Sequence, residues 1–291
     1  MPPKYAIITP ARNEEKYIDS TIASVLSQTA KPAIWVIIDD HSTDRTREII
    51  DAARDEFPWI QLLENDIEAE RAPGAKVVRL FNLGIDSLKD EYDFLVKLDA
   101  DLSFRPDYFE RLFLEFERDP HLGIAGGYCQ NQDGQALKTE WTPEYHVRGA
   151  TKVYRKKCLS DIGGLIPVMG WDGLDEMKAQ MLGWNTKSFK DLLILHLRHT
   201  GQATGKIRFA WLWGVSSHYM GYDPIFFLIR CMRNIKRRPY LLFSMTMVFG
   251  YLYSLVVRSK QVDDKNLILY IRKFQRRRLF SNLKFINRKN I

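Results

Sequence analysis

The chain has 291 residues, of which 45% are hydrophobic and 27% are charged, and this composition fits one large globular domain with an appendage or two modest domains. Its three cysteines lie far apart and show no Cys-x-x-Cys spacing, which argues against a disulfide framework and a cysteine-based zinc site. The amino-terminal stretch MPPKYAIITPARNEE lacks the cationic segment and the apolar run of a secretory signal, so we expect the bulk of the protein in the reducing cytosol.

The net charge of +7 conceals an asymmetry along the chain. From Ile225 to Ile291 there are 16 Lys and Arg against two Asp, a net charge of +14, whereas the preceding residues carry 27 basic and 34 acidic side chains, a net charge of −7. A basic block of this kind indicates an anionic partner, either nucleic acid or the charged surface of a membrane. No nucleic-acid-binding motif accompanies the block, so we expect the membrane surface and no nucleic acid.

The first hundred residues alternate apolar strand patterns with segments of helical period. The predicted strands are YAIITPA, AIWVIIDD, IQLLEN and YDFLVKLDAD. The predicted helices between them are EEKYIDSTIASVLSQ, a segment from about Thr43 to Phe57 opened by the cap-competent HSTD, and AKVVRLFNLGIDSL. This alternation predicts an α/β fold, namely a mostly parallel sheet with helices on both faces.

The second hundred residues continue the pattern. A helix is predicted from about Asp107 to Asp119, with an inward face of Phe109, Leu112, Phe113 and Phe116. The strand LGIAGGY follows, and a segment from Arg148 to Gly164 is expected to return to the sheet. GWDGLDEMKAQMLGW predicts a loop that runs into a helix with Met177 and Met181 buried, and SFKDLLILHLRH predicts a strand.

Polar and acidic residues follow three of the predicted strands, in TPARNEE, DDHSTD and DADLS. Ligands of parallel α/β sheets bind beyond the carboxyl ends of the strands, where these three segments should meet. Asp99 and Asp101 would repel each other by roughly 4 kcal/mol at ~4 Å and an effective dielectric near 20, so a divalent cation is a reason to keep them together. The alternative is a solvated turn with two acids.

Asp39 and Asp40 also end an apolar strand. A carboxylate in that position can accept a hydrogen bond from the N3–H of a uracil or from a ribose hydroxyl. Alternatively, Ser42 or Thr43 caps the following helix and the two acids favour its amino terminus. The two interpretations are compatible.

The ordered segments ITPARNEEKYIDSTIASVLSQT, VIIDDHSTDRT and LDADLSF resemble the family-two glycosyltransferases, which transfer sugars from nucleotide diphosphate donors and have the fold called GT-A. The resemblance covers residues 5 to about 200. It implies a Rossmann-like GT-A catalytic domain, which we place at residues 1–215, before a basic, helical, membrane-associating region at residues 216–291. It also implies a nucleotide-diphosphate sugar donor and a cofactor of Mn²⁺ or Mg²⁺.

Site residues follow from the same resemblance. It implies that Asp40 contacts the base and that the nucleoside pocket is lined by Thr9, Pro10, Ala11, Arg12 and Glu14. The DAD segment, Asp99, Ala100 and Asp101, would hold the ribose and the metal. His196 resembles the histidine that completes the metal shell, with His199 as its rival. Arg198 and Lys76, with Arg79, are candidates for the diphosphate, although a solvated helix face explains Lys76 and Arg79 equally well.

The general base is expected in the second half of the domain. In the family an acidic pair precedes a helix about a dozen residues ahead of a glycine, and Gly183 places Asp172 at that position. Here Trp171-Asp172 replaces the usual Glu-Asp, so Asp175 is a second candidate. Such a base takes the proton of the acceptor hydroxyl, which implies inversion at the sugar carbon.

Two neighbours of the expected base are open to two interpretations. Glu176 is interpreted as a favourable charge in the first turn of a helix rather than as a catalytic group. Trp171 is a candidate for stacking on the acceptor sugar, with packing in the core as the alternative.

The carboxyl-terminal region contains a charge-free segment, Pro239 to Val257, with basic residues on both sides. As a helix it would reach about 28 Å, just short of the ~30 Å hydrocarbon thickness of a bilayer. We expect it to lie in, or dip into, the cytoplasmic face of a membrane, beside the helix IRKFQRRRLF on anionic lipid. A single span and an ordinary soluble core are the alternatives.

The sequence therefore favours a metal-dependent, inverting glycosyltransferase. It would move a sugar from a UDP-linked donor, in preference to a GDP-linked one, to a glycan or lipid-linked acceptor in polysaccharide or cell-envelope biosynthesis. One alternative is an aspartyl-phosphate phosphohydrolase that uses Asp99 and Asp101, although it leaves TPARNEE and DDHSTD unexplained. The other is a non-catalytic, membrane-attached protein that binds nucleotide sugars.

Overall fold

A computed structural model of the chain describes residues 3–65, 74–89, 91–133, 136–198, 205–236 and 239–288. The chain forms two compact units. The first consists of Met1–Pro167 with Trp171–His199, and the second of Val168–Gly170 with Thr200–Ile291.

The first unit is built on one sheet, which has nine strands in the described part of the chain: β1 (Tyr5–Ala11), β2 (Ile34–Asp39), β3 (Ile60–Glu64), β4 (Phe94–Leu98), β5 (Leu102–Phe104), β6 (Leu122–Asp133), β7 (Ala136–Thr139), β8 (Thr151–Arg155) and β9 (Asn185–His196). Their order is β3-β2-β1-β4-β8-β6-β9-β5, with β7 paired to β6. The first four strands in this order are mutually parallel. The α/β class is thus confirmed.

The sheet is mixed beyond β4. Strand β8 is antiparallel to both β4 and β6, β9 is parallel to β6, and β5 is antiparallel to β9. The prediction of a mostly parallel sheet holds for the first four strands. It does not extend further, because the chain passes from β6 to β8 through the short strand β7 and a loop, whereas a parallel pair would need a crossover connection.

Helices cover both faces of the sheet, as predicted. They are α1 (Ile18–Leu26), α2 (Thr46–Glu56), α3 (Ala75–Ser87), α4 (Tyr108–Arg118), α5 (Lys156–Asp161) and α6 (Trp171–Met181). Successive side chains of a strand point to opposite faces. Tyr5 and Ile7 accordingly join a core cluster with α1, α2 and α4, whereas Ala6 and Ile8 join a second cluster with α3, α5 and α6. The predicted inward face of α4 is confirmed, since Phe109, Leu112, Phe113 and Phe116 are all buried.

Two helices differ from the prediction. Helix α2 begins at Thr46 rather than at Thr43, and α6 begins at Trp171. Met177 and Met181 of α6 are only partly buried, because the inward side of this helix consists of Trp171, Leu174, Asp175, Glu176 and Ala179.

A register shift in the pairing of β6 with β9 positions the end of β9. Gly127 lies opposite Phe189, but the next residue, Tyr128, lies opposite Leu193. A Cβ atom on Gly127 would lie 2.0 Å from the carbonyl oxygen of Leu192, so this irregularity requires glycine. Beyond it, β9 also pairs with β5, which was not predicted, and His196 lies opposite Leu102.

The second unit is helical in its described residues. It contains α7 (Lys206–Tyr219), α8 (Pro224–Arg233), a 3₁₀ turn (Asn234–Lys236), α9 (Leu241–Val256) and α10 (Lys265–Arg288). The domain boundary expected between residues 215 and 216 falls inside α7, and the whole of α7 belongs to this unit.

Helices α7 and α9 approach each other at two glycines. A Cβ atom on Gly214 would lie 2.0 Å from the carbonyl oxygen of Met247, and one on Gly250 would lie 2.4 Å from that of Trp211. This contact explains a glycine in the interior of the apolar helix α9. Across the described ranges of the chain, no helix is both long enough and apolar enough to cross a membrane.

The close approach at the β6–β9 irregularity leads to the first prediction. Gly127→Ala should lower the free energy of unfolding by about 2–3 kcal/mol, because a Cβ atom there meets backbone that cannot rotate away. Gly173→Ala is the control: Gly173 lies in α6, and beyond its chain neighbours and the backbone of its own helix no heavy atom lies within 4 Å of the added carbon, so alanine should be neutral or stabilising. Urea unfolding of the three proteins measures both effects, and equal stabilities would contradict the interpretation.

Candidate active site

Two carboxylates and an imidazole meet at one corner of the sheet. Asp99 and Asp101 lie between β4 and β5, and His196 ends β9. The pairing of β5 with β9 brings them together, and the Leu197 amide donates to the carbonyl oxygen of Asp101 at 2.9 Å. His196 Nε2 lies 3.3 Å from Asp101 Oδ1, and one ligand atom from each of the three residues lies within 4.8 Å of the others. The two carboxylates suit Mn²⁺ or Mg²⁺, and an imidazole is an ordinary additional ligand for a Mn²⁺-type ion.

A buried lysine next to this cluster was not predicted to take part. Lys97 of β4 is 3% exposed, and its ammonium donates to the Asp99 carboxylate and, at 2.6 Å, to the carbonyl oxygen of Gly149. Burial raises the pKa of Asp99, Lys97 counteracts this, and the neighbouring charge of Asp101 adds to the rise. The protein thus supplies a cation of its own to one of the two acids.

Arg198 joins this corner to the loop after β1. Its guanidinium contacts the Glu14 carboxylate, donates to the carbonyl oxygen of Asn13 at 3.3 Å, and places Nε 3.8 Å from Asp101 Oδ2. Burial, together with the charge of Asp101, raises the pKa of Glu14 to about 8. Two predicted donor-binding residues, Glu14 and Arg198, therefore lie together beside the predicted metal ligands.

Asp40, at the end of β2, is the centre of a second polar cluster. It is 3% exposed, and its carboxylate accepts from Asn65 Nδ2 at 2.8 Å, contacts Lys76 Nζ at 2.7 Å and accepts from Arg12 Nη1 at 3.4 Å. Burial alone would raise the pKa of Asp40, but the hydrogen bonds and charges of these neighbours lower it. Asp40 is therefore an ionised hydrogen-bond acceptor. Lys76, a candidate for the diphosphate, contacts this carboxylate instead of lying on a solvated helix face. Arg79 lies on the exposed side of α3, as the alternative interpretation expects.

The loops after β1 and β2 are joined by reciprocal hydrogen bonds. The Asn13 amide donates to Ser42 Oγ at 3.0 Å, the Thr43 amide donates to Asn13 Oδ1 at 2.8 Å, and the Glu14 amide donates to Thr46 Oγ1 at 2.7 Å. The prediction that Ser42 or Thr43 caps α2 is therefore wrong, because these residues bind the neighbouring loop and α2 begins three residues later. The two loops form a single structural element.

The remaining donor-binding candidates differ in exposure. Thr9 is fully buried and its hydroxyl accepts from the Trp35 indole at 2.9 Å, so its side chain belongs to the core and not to a pocket wall. Ala11 and Ala100 are also buried, whereas Pro10 and Arg12 are partly exposed at the edge. His199, the rival of His196, lies outside the described residues.

The amino terminus of α6 presents Asp172. This residue is partly buried in the first turn, and its carbonyl oxygen accepts from Lys152 Nζ at 2.7 Å. Burial would raise the pKa of the Asp172 carboxyl, but the charges of His146, Lys152 and Arg148 lower it. The carboxylate is therefore ionised at neutral pH, as a proton acceptor must be.

Asp175, the second candidate for the base, is part of the core. Lys152 of β8, which is fully buried, lies 2.9 Å from both of its carboxylate oxygens, and the Tyr154 hydroxyl donates to it at 2.6 Å. Burial raises the pKa of Asp175 to about 6, although the charge of Lys152 acts in the opposite direction. These contacts give Asp175 a structural position rather than an open one.

Glu176 is buried in the same network. It is 1% exposed, accepts from the Val147 amide at 2.7 Å, and lies 2.9 Å from His146 Nδ1 and 3.0 Å from Lys152 Nζ. The interpretation of Glu176 as a favourable charge in the first turn of a helix is therefore wrong, because α6 begins at Trp171 and a buried cation and a backbone amide draw Glu176 inward.

Trp171 is 6% exposed and packs in the core, so burial does not support the predicted stacking on an acceptor sugar. Its ring lies 5.8 Å from Lys97 Nζ and 5.4 Å from Lys152 Nζ. A Cβ atom on Gly149 would lie 3.0 Å from this ring and 3.5 Å from the Cβ of Asp172.

A continuous series of contacts joins the clusters at one edge of the sheet. Arg12 contacts Asp40. Glu14, two residues further along the same loop, contacts Arg198, and Arg198 reaches Asp101.

The series continues on the other side of the metal cluster. Lys97 links Asp99 to Gly149, and Gly149 packs beside Asp172. The edge therefore holds an ionised hydrogen-bond acceptor, a candidate metal site and a candidate proton acceptor.

Sequence reasoning missed several residues of this edge, namely Lys97, Lys152, Asn65 and Tyr154. Lys97 carried a signal, since it is the lone charged residue of an otherwise apolar strand with both faces covered. Lys152 carried none, because β8 also contains Thr151 and Arg155. Asn65 carried no such signal, because its role depends on β3 lying beside β2.

The sequence model of the family "Glycosyl transferase family 2" matches residues 6–169. The chain belongs to this family. TuaG of Bacillus subtilis, which carries the name of a teichuronic acid biosynthesis glycosyltransferase, is 32% identical over 137 residues, 46% of this chain and 51% of TuaG. The poly-beta-1,6-N-acetyl-D-glucosamine synthase of Staphylococcus aureus is 30% identical over 117 residues, 40% of this chain and 26% of the synthase. The chain thus spans about half, or less, of these relatives.

Solved structures confirm the GT-A fold. The mannosyltransferase PcManGT of Pyrobaculum calidifontis, in complex with GDP-Man and Mn²⁺, superposes with a TM-score of 0.57 at 15% identity, over 88% of this chain and 76% of that protein. Residues 1–349 of S. aureus TarS, in complex with UDP-GlcNAc, superpose with a TM-score of 0.56 at 16% identity, over 92% and 79% of the respective chains. At these identities the likeness concerns the fold alone.

The buried ion cluster under α6 leads to the second prediction. Lys152→Met should lower the free energy of unfolding by about 3–5 kcal/mol, because it leaves Asp175 and Glu176 buried without their cation. Lys157→Met removes an exposed lysine that pairs with Asp161 and should change stability by less than about 0.5 kcal/mol. Chemical unfolding of both variants measures the difference, and similar stabilities would refute a structural role for Lys152.

Proposed function

We propose that the chain is a metal-dependent, inverting glycosyltransferase that uses a nucleotide-diphosphate sugar. The observation that carries the proposal is the series of contacts along one edge of the sheet, where Arg12 contacts Asp40, Arg198 reaches Asp101 and Gly149 packs beside Asp172. Membership of family two supports transfer of a glycosyl group.

The donor is proposed to bind between the two polar clusters. Asp40 is an ionised acceptor beside Arg12, so it can receive an N–H of the base while the cation remains near the negative charge of the nucleotide. A UDP-sugar is favoured over a GDP-sugar. The complex of TarS with UDP-GlcNAc supports this choice, although PcManGT was solved with GDP-Man.

The metal is proposed to be Mn²⁺ or Mg²⁺, held by Asp99, Asp101 and His196. The donor set fits such an ion, since two carboxylates and an imidazole converge within 4.8 Å. When bound, the ion supplies positive charge to the diphosphate leaving group. Lys97 fixes one ligand by its contact with Asp99, and Arg198 adds a cation that can pair with the phosphates.

Asp172 is proposed as the general base. It is the partly exposed acid of α6, and its pKa is lowered, so the carboxylate can take the proton of an acceptor hydroxyl as the oxygen attacks the sugar carbon. The bond to the diphosphate breaks on the opposite side, so the configuration of the carbon inverts. The acceptor is proposed to be a glycan or a lipid-linked sugar of polysaccharide or cell-envelope synthesis, which the name of the S. aureus polysaccharide synthase supports.

Donor binding provides the third prediction. A panel of UDP- and GDP-sugars, each with and without Mn²⁺, should raise the melting temperature most for a UDP-sugar with Mn²⁺, because ligand that binds only the folded state stabilises it. At 100 times the dissociation constant, the gain is about 2.7 kcal/mol. Asp101→Asn should remove the Mn²⁺-dependent part of the shift, whereas Lys157→Met should retain it. A shift that is equal with and without Mn²⁺ would argue against the metal site.

Catalysis provides the fourth prediction. Asp172→Asn should lower kcat about 10²–10⁴-fold and leave donor-induced stabilisation nearly unchanged, because only the proton acceptor is removed. The rate of transfer is measured as the release of nucleoside diphosphate from the preferred sugar donor. Transfer at the wild-type rate would remove Asp172 from its role.

The same variants distinguish the alternatives. A non-catalytic binding protein would show the thermal shift without release of the diphosphate by the wild-type chain. A phosphohydrolase would form an aspartyl phosphate at Asp99, which borohydride trapping and mass spectrometry detect. Neither outcome is expected, because Asp99 is ion-paired with a buried lysine and the chain belongs to family two.

A further inference from the structure

Helix α9 exposes a continuous apolar strip to solvent. Its residues recur at intervals of three and four positions, and their exposed fractions are 50% for Leu242, 43% for Met245, 55% for Phe249, 46% for Leu252 and 82% for Val256. Residues at such intervals share one side of a helix. The opposite side, which includes Phe243, Met247 and Tyr251, is buried inside the second unit. The helix is thus apolar all round but covered on one side only.

Helix α8 adds a second strip of the same kind. Ile225, Leu228 and Met232 are spaced by three and four residues and are 64%, 53% and 68% exposed. The Ser244 hydroxyl of α9 donates to the carbonyl oxygen of Cys231 in α8 at 2.7 Å, so the two helices are packed together. We call the exposed strips of α8 and α9 the apolar platform. Soluble monomers seldom expose so many large apolar side chains together, and such surfaces mark sites of interaction.

Positive charge accompanies the platform. Residues 200–291 contain 18 Lys and Arg against three Asp, a net charge of +15. Exposed cations follow each strip along the chain, with Arg233 directly after Met232 and Arg258 and Lys260 just beyond the end of α9. On α10, Arg272, Lys273, Arg276 and Arg277 line an open depression of about 480 Å³. A second copy that docked through the same surface would bring the same strong positive charge to the contact, so the surface fits an anionic partner better than its own copy.

We propose that the apolar platform inserts into the headgroup layer of an anionic lipid bilayer. Apolar side chains that cover one side of a helix, with basic residues at its ends, match the known pattern of helices that lie in the membrane interface. Exposed tyrosines support this position, since Tyr240 and Tyr253 are 57% and 53% exposed and the tyrosine ring favours the boundary between lipid and water.

The packing of α9 favours a position along the membrane surface. Its 16 residues correspond to about 24 Å of helix, less than the ~30 Å hydrocarbon thickness. Its inner side is held against α7 at Gly214 and Gly250, where backbone approaches backbone. Surrounding α9 with lipid would break this contact, whereas burying only the platform leaves it intact.

Vesicle flotation of the full chain tests the proposal. The chain should float with vesicles that contain phosphatidylglycerol, without any nucleotide, so the result is independent of catalysis. Phe249→Gln combined with Leu252→Gln should weaken this binding about tenfold or more, because both side chains lose their burial in lipid. Leu182→Gln is the matched control: Leu182 is 47% exposed, nearly as Leu252 is, but belongs to the first unit, and its substitution should leave flotation unchanged.

Charge substitutions test the choice of lipid. Arg258→Gln with Lys260→Gln should weaken binding to phosphatidylglycerol vesicles roughly tenfold and binding to pure phosphatidylcholine vesicles very little, since each cation interacts with the anionic surface. Lys157→Gln, which removes an exposed lysine of the first unit, should have no effect. Melting temperatures equal to that of the parent chain establish that every variant is folded.

Three results would overturn the proposal. The first is that the parent chain floats neither with vesicles that contain phosphatidylglycerol nor with pure phosphatidylcholine vesicles. The second is a platform variant that floats as well as the parent chain. The third is that light scattering shows the parent chain to be a dimer and the platform variant to be a monomer, while both float equally well. That result would mean that the platform binds a second copy of the chain and not the membrane.

Discussion

The fully buried ammonium of Lys152 determines how the second half of the site is arranged. A charge in the core is tolerated only when partners compensate for the loss of water, and here Asp175, Glu176 and the carbonyl oxygen of Asp172 do so. Two acids of α6 therefore face the core, and the start of the helix is fixed to β8. Asp172 is left as the acid of this turn with access to the edge of the sheet.

The same principle operates across the whole edge, since its carboxylates are matched by cations of the protein. Asp99 has Lys97, Asp40 has Lys76 and Arg12, and Asp101 lies near Arg198. In the sequence, the closeness of Asp99 and Asp101 is a reason to expect a bound dication. In the structure, the ammonium of Lys97 opposes the rise in the pKa of Asp99 that burial and the charge of Asp101 cause, so a metal site at this corner depends on the convergence of ligand atoms and not on unbalanced charge alone.

Sequence patterns were sufficient for features that depend on neighbouring residues. Apolar runs located β1 to β4, and the spacing of phenylalanines located the inner side of α4, because these patterns follow from strand and helix geometry. Hydrophobic periodicity did not predict which side of α6 is buried. It assigns charged residues to the exposed side, and it cannot anticipate that a buried lysine of strand β8 pairs with Asp175 and Glu176. It also missed β5, a three-residue strand whose partner, β9, lies some ninety residues further along the chain.

The irregularity between β6 and β9 has a consequence for how this protein can change in length. Gly127 pairs with Phe189 and Tyr128 pairs with Leu193, so Lys190, Asp191 and Leu192 lie opposite no residue of β6. Such an irregularity can absorb a gain or loss of residues without changing the pairing that follows it. Natural variants of this segment can therefore differ in length while Leu193 to His196 keep their register and the imidazole stays beside Asp101.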